Sequence, residues 1–112
     1  MSNLTEWELR ELQSIVDLHA RGRSSGVVRG WFLSLDKKDN PDDSHTHTFS
    51  AEPWPFGRES GSGDDFYSLG RLASALHVPV VLMVVAGKDY LSGRAPKIEV
   101  QWRCVRRNRE VN

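Results

Sequence analysis

One cysteine, Cys104, in 112 residues leaves no partner for an intramolecular disulfide, which excludes the small secreted scaffolds held together by such bonds. A reducing, cytoplasmic home is the expectation. Long apolar runs are also missing. The longest, Val80 to Ala86, has seven residues against the twenty or so that cross a bilayer, so no membrane association is expected. The first residues are acidic and helical in pattern where a signal peptide would need a basic start and an apolar stretch. Neither sign of charge is in excess, since 15 basic residues balance 15 acidic ones. That balance argues against the strongly basic class of dedicated nucleic-acid binders. No cofactor motif stands out. The Gly57–Gly63 stretch precedes a helix, yet Asp64 and Asp65 stand where a phosphate loop needs Lys followed by Ser or Thr.

The length suits one domain, residues 1–112, with a single core. Hydrophobic content of 38% and charged content of 27% fit an ordered protein with some irregular surface segments. The zero net charge hides a segregation: residues 1–26 sum to −1, residues 27–65 to −4, and residues 66–112 to +5.

Two helices are legible. Thr5 and Glu8 have the spacing of a capping box, with Leu4 and Leu9 as a hydrophobic staple. Leu9, Leu12, Ile15, Val16 and His19 then form one stripe, and Gly22 closes the helix. In the second helix Phe66, Leu69, Leu72, Ala73 and Leu76 share a face; Asp64 and Asp65 cap its start, and Pro79 ends it. The β-branched run Val80–Ala86 reads as a central strand buried on both faces.

Val27–Leu35 reads as a strand after a short connection at residues 23–26, with Gly30 marking a bulge or a close backbone approach. Residues 36–43 turn, and Ser44–Ala51 alternates, which predicts a hairpin. Residues 52–63 are an irregular loop rich in Pro, Gly and aromatics. Gly87–Pro96 reads as a turn, and Lys97–Val105 alternates with Ile98, Val100, Trp102 and Cys104 inward, which predicts a second hairpin with the apolar strand. Residues 106–112 read as a frayed tail. The fold class expected is therefore α+β, order α-β-β-α-β-β, with an antiparallel sheet of about four strands and two helices on it. This order of elements resembles that of small dimeric scaffolds such as roadblock-type adaptors and secretion chaperones, which implies a homodimer; no residue motif carries over.

Three functional readings follow. The leading one is a non-catalytic, intracellular protein-binding module with no cofactor. It would act on a protein or nucleoprotein partner by occupying its surface, as an adaptor or as an inhibitor of the kind mobile elements and phages encode. Trp54 and Phe56, set among prolines, are either a lid over the core or a low-entropy anchor for a partner. Arg103, Arg106 and Arg107 complete the candidate binding set, and they carry the second reading, contact with nucleic acid. The third is a metal-dependent hydrolase. Asp43, His45 and His47 would project from one strand face at roughly 7 Å intervals, although an H-x-H pair lacks further ligands at any recognisable spacing. No metal is expected on balance.

Overall fold

A computed structural model describes residues 4–19, 22–55, 63–94 and 97–105. Among them are three helices and four strands in the order α-β-β-β-α-α-β. The expected class is right and the expected order is not.

Helix α1 (Glu6–His19) starts as its capping box requires: the Glu8 amide donates to Thr5 Oγ1 and the Thr5 amide to Glu8 Oε1. Leu12 and Ile15 are buried and Leu4 packs on the core, but Leu9 lies largely exposed, so the staple is only half made.

The stretch read as one strand from Val27 to Leu35 is two. Strand β1 (Arg23–Val28) and strand β2 (Trp31–Asp39) pair antiparallel with Val28 opposite Trp31, which leaves Arg29 and Gly30 as a two-residue turn. Both have positive φ, 52° and 77°, as a type I′ hairpin turn demands. Gly30 adopts this freely, whereas Arg29 bears the cost of a Cβ in the left-handed region and is held there by an ion pair to Glu8 at 2.6 Å. Residues 23–26 therefore belong to the sheet.

Strand β3 (Ser44–Pro53) forms the expected hairpin with β2, Leu35 opposite Phe49. Strand β4 (Ile98–Val105) also pairs with β3, not with the apolar run, so the sheet order is β1-β2-β3-β4.

The run from Val80 is a helix, which removes the expected central strand and second hairpin. Helix α2 (Gly63–Ala75) ends in a Schellman turn: Val78 N–H donates to the Ala73 carbonyl, His77 N–H to Ser74, and His77 takes a φ of 65°. Pro79 then caps helix α3 (Val80–Leu91), which continues through Gly87, read from sequence as a turn residue. Met83, Gly87 and Tyr90, spaced at four and three, are its buried face. A short apolar run fits either period, and here the continuation to Tyr90 decides for the helix.

The helices cover one face of the sheet, α1 against β1 and β2, α3 against β4, with α2 between them. Trp31, Leu33, Leu35, Phe49, Ala51, Ile98 and Val100 supply the sheet side of the core, and Leu69, Leu72, Ala73 and Leu76 the α2 side. The opposite face of the sheet is mostly polar, with the Phe32–Trp54 ring contact at one end. No helix among the described residues is long and apolar enough to cross a membrane.

Gly87 sets how closely α2 and α3 approach. A Cβ built there would lie 2.2 Å from Phe66 Cζ and under 3 Å from both neighbouring ring carbons. Alanine favours a helix interior over glycine by about 1 kcal/mol. Displacing the ring costs about 1–3 kcal/mol, so Gly87→Ala should lower stability by up to about 2 kcal/mol in urea denaturation. A stabilised variant would mean that the two helices do not meet at this point.

Candidate functional site

Two places gather chemistry or unpartnered surface. The first is the outer side of α2 and α3. Because Met83, Gly87 and Tyr90 face inward, the helical period turns Val80, Val81, Val84 and Val85 outward, and they are 68%, 66%, 51% and 59% exposed. Tyr67 of α2 and Leu91 are exposed beside them. Phe66, Gly70, Ala73 and Val78 line a groove of about 620 Å³ that runs under Val80 and Val84. Its walls are almost wholly apolar, with Arg71 stacked 5.7 Å from the Tyr67 ring at the rim. Up to Gly87 α3 is apolar all round, the composition of a helix buried on every side, yet one side lies bare among the described residues. Those side chains together expose on the order of 600 Å² of surface, at the upper end of what a monomer leaves uncovered.

The second place is the pole of the molecule where α1 and α2 end. His19, in the last turn of α1, meets His47 of β3, with Nε2 and Nδ1 3.0 Å apart. His47 also stacks on Trp102, ring centroids 5.3 Å apart and planes 17° from parallel. Val16, Leu35, Leu76, His77 and Cys104 complete a cavity of about 200 Å³. Burial lowers both imidazoles from their ordinary range. For His19 the desolvation is opposed by the Leu35 backbone and by Asp36 and reinforced by Lys37; for His47 it is reinforced by His19, His45 and Lys37. An imidazole–imidazole hydrogen bond needs at least one neutral ring, which fits this direction.

These two shifts have a stability consequence. A histidine held below its unfolded value binds fewer protons folded than unfolded, so the stability it confers is complete at neutral pH. That stability falls away as pH drops below about 6.5, the unfolded imidazole value, toward the lowered folded values. The urea midpoint should therefore decline between pH 7.5 and 5.5, and His47→Gln should flatten the decline. An unchanged slope in that variant would remove the pair as its source.

The residues singled out from the sequence are scattered among other duties. His45 pairs with Asp39 at 2.7 Å, while His47 turns to His19; Asp43 sits exposed in the β2–β3 turn with a φ of 66°. Among the described residues no group of three or more His, Cys, Asp or Glu is arranged to hold a metal ion. Arg103 donates to Ser44 Oγ and pairs with Asp42, fastening β4 to the β2–β3 turn. Asn40 donates to Ser44 and Thr46 in the same network, which buries Ser44. Trp54 lies against Phe32 on the open face of the sheet, centroids 6.0 Å apart, and stays partly exposed. Trp102 is half-buried as its inward position implies, but Cys104, which lines the same cavity, is exposed. Phe56, Arg106 and Arg107 lie outside the described residues.

The valine face escaped the sequence reading because a strand buried on both sides and a helix bare on one draw on the same residues. The signal that separates them is the apolar stripe Met83, Ala86, Gly87, Tyr90, which continues at helical spacing beyond the run itself. Comparisons with protein-family models, with curated proteins and with solved structures return no match.

Proposed function

We propose that this chain is a non-catalytic protein-binding module that acts by occupying the surface of a partner, and that it docks through the outer side of α2 and α3. The observation that carries this reading is the row of exposed valines on α3 above an apolar groove. Packed valines and an adjoining aromatic are what the desolvated centre of an interface needs, and Asp89 and Arg71 supply charge at its rim. Several of the polar groups that first suggested chemistry are instead paired within the protein, His45 with Asp39 and Arg103 with Asp42. The engagement of Arg103 also weakens the case for nucleic acid, which needs cations available to phosphate.

A photo-crosslinking residue tests the reading. Placed at Val84, it should give adducts with protein inside the cells that make this chain; placed at Gln101, on the exposed polar side of β4, it should not. Trp54→Ala should leave the Val84 adducts intact. Equal labelling from both positions, or none from Val84, would overturn the assignment of the face.

A further inference from the structure

We infer that the protein occupying this face is a second copy of the same chain, paired through α3 about a twofold axis with the two helices antiparallel; the inference rests on the docking assignment above. Its first support is the spacing of the exposed residues. Val81, Val84, Lys88 and Leu91 follow one another at intervals of three, four and three, the seam of a two-helix contact, with Val80 and Val85 on its flanks. All six are exposed, so the seam is available along the whole helix.

The second support is the single charge in that seam. In a parallel pair Lys88 would face its own copy, two ammonium groups across a desolvated contact. In an antiparallel pair with its axis between Val84 and Lys88, Val81 meets Leu91 of the second copy and Val84 meets the aliphatic stem of Lys88. The ammonium then reaches solvent past the partner helix. One cation in an otherwise apolar seam fixes orientation and register at some expense of affinity, and here it selects the isologous arrangement.

Area is the third support. The exposed valines, Leu91 and Tyr67 offer roughly 600 Å² per copy before the Lys88 stem and the groove wall are counted, close to the ~800 Å² per partner of a standard interface. The twofold axis also brings each groove beside the other copy's Val80 and Val81, so ridge and groove bury one another.

Sedimentation equilibrium of the full chain decides the matter. The wild type should sediment at twice 12.7 kDa at tens of micromolar. Val84→Glu, a change at an exposed position, should keep the circular dichroism of the parent and weaken the dimer at least a hundredfold. Lys88→Val should tighten it at least tenfold, an effect that misfolding does not produce. Register is read separately in a Cys104→Ser background: Val81→Cys protein mixed with Leu91→Cys protein should form a disulfide-linked heterodimer, and Val81→Cys alone should not. A wild type that stays monomeric at 100 μM, or a dimer indifferent to both substitutions, would overturn the inference. Should such a monomer still crosslink from Val84 to a different protein, the docking assignment stands and the second copy falls; adducts within its own chain would remove both.

Discussion

Trp31→Ala should destabilise the protein by about 3–5 kcal/mol, the largest loss expected from any single truncation here. Trp31 is completely buried, the biggest such side chain in the core. It opens β2 directly after the Arg29–Gly30 turn, and its ring lies 5.8 Å from that of Tyr90 on α3. Removing the indole therefore leaves a cavity between the sheet and the last turns of α3, and neither a strand nor a helix anchored at both ends can close over it. Urea denaturation followed by circular dichroism measures the loss. Trp31 is also the one tryptophan wholly shielded from water, so the remaining fluorescence should shift to the red. A loss under 1 kcal/mol would show that α3 does not lie on the sheet as described.

Glu8→Ala should cost about 2–3 kcal/mol, because one carboxylate serves two structures. Oε1 accepts the Thr5 amide at the start of α1, and Oε2 accepts from Arg29 Nε at the tip of the β1–β2 hairpin. The Arg29 and Glu8 side chains keep 18% and 11% of their surface exposed, which places the expected loss below that of a fully buried ion pair. Glu8→Gln keeps an acceptor for Thr5 and should lose about half as much. Hydrogen bonding to Arg29 holds the Glu8 carboxyl below its usual range, against the opposing effect of burial. Its contribution is accordingly present above the unfolded glutamate value of about 4.3 and disappears as pH falls through the lowered folded value. Stability should therefore fall with pH in two stages in the parent, the histidine pair first and Glu8 later, with the later stage reduced in Glu8→Gln. A variant whose stability falls with pH as the parent's does would remove Glu8 as a contributor.

What the sequence makes legible is whatever depends on neighbours along the chain. The Thr5–Glu8 capping box, the α2 stripe and the alternation of Ile98 and Val100 are local patterns, and each lies where it was expected. The Arg29–Gly30 turn is local too but disguised, because an arginine rarely accepts a positive φ and only a distant partner, Glu8, makes it tolerable. Pairing of β4 with β3 depends on the intervening chain forming two helices, which follows from the misread run at Val80. The histidine pair illustrates the same limit: His45 and His47 drew notice as neighbours in a strand, whereas the contact that forms, His19 with His47, joins residues 28 apart. The valine face could not be seen at all while those valines were assigned to a sheet interior.

Among the described residues the strand order leaves two unequal margins. At β4 the residues flanking the free hydrogen-bonding edge include Glu99 and Arg103, and α3 lies alongside. Charged side chains at an edge discourage an incoming strand. At β1, Ser24 to Val28 contain no charge, and α1 covers only the inner face. Its shortness, six residues, is the main protection this margin has. Aggregation by strand addition is thus directed to one side of the molecule, and the exposed Ser25, changed to lysine, is the position at which a single residue would give β1 the guard that β4 already possesses.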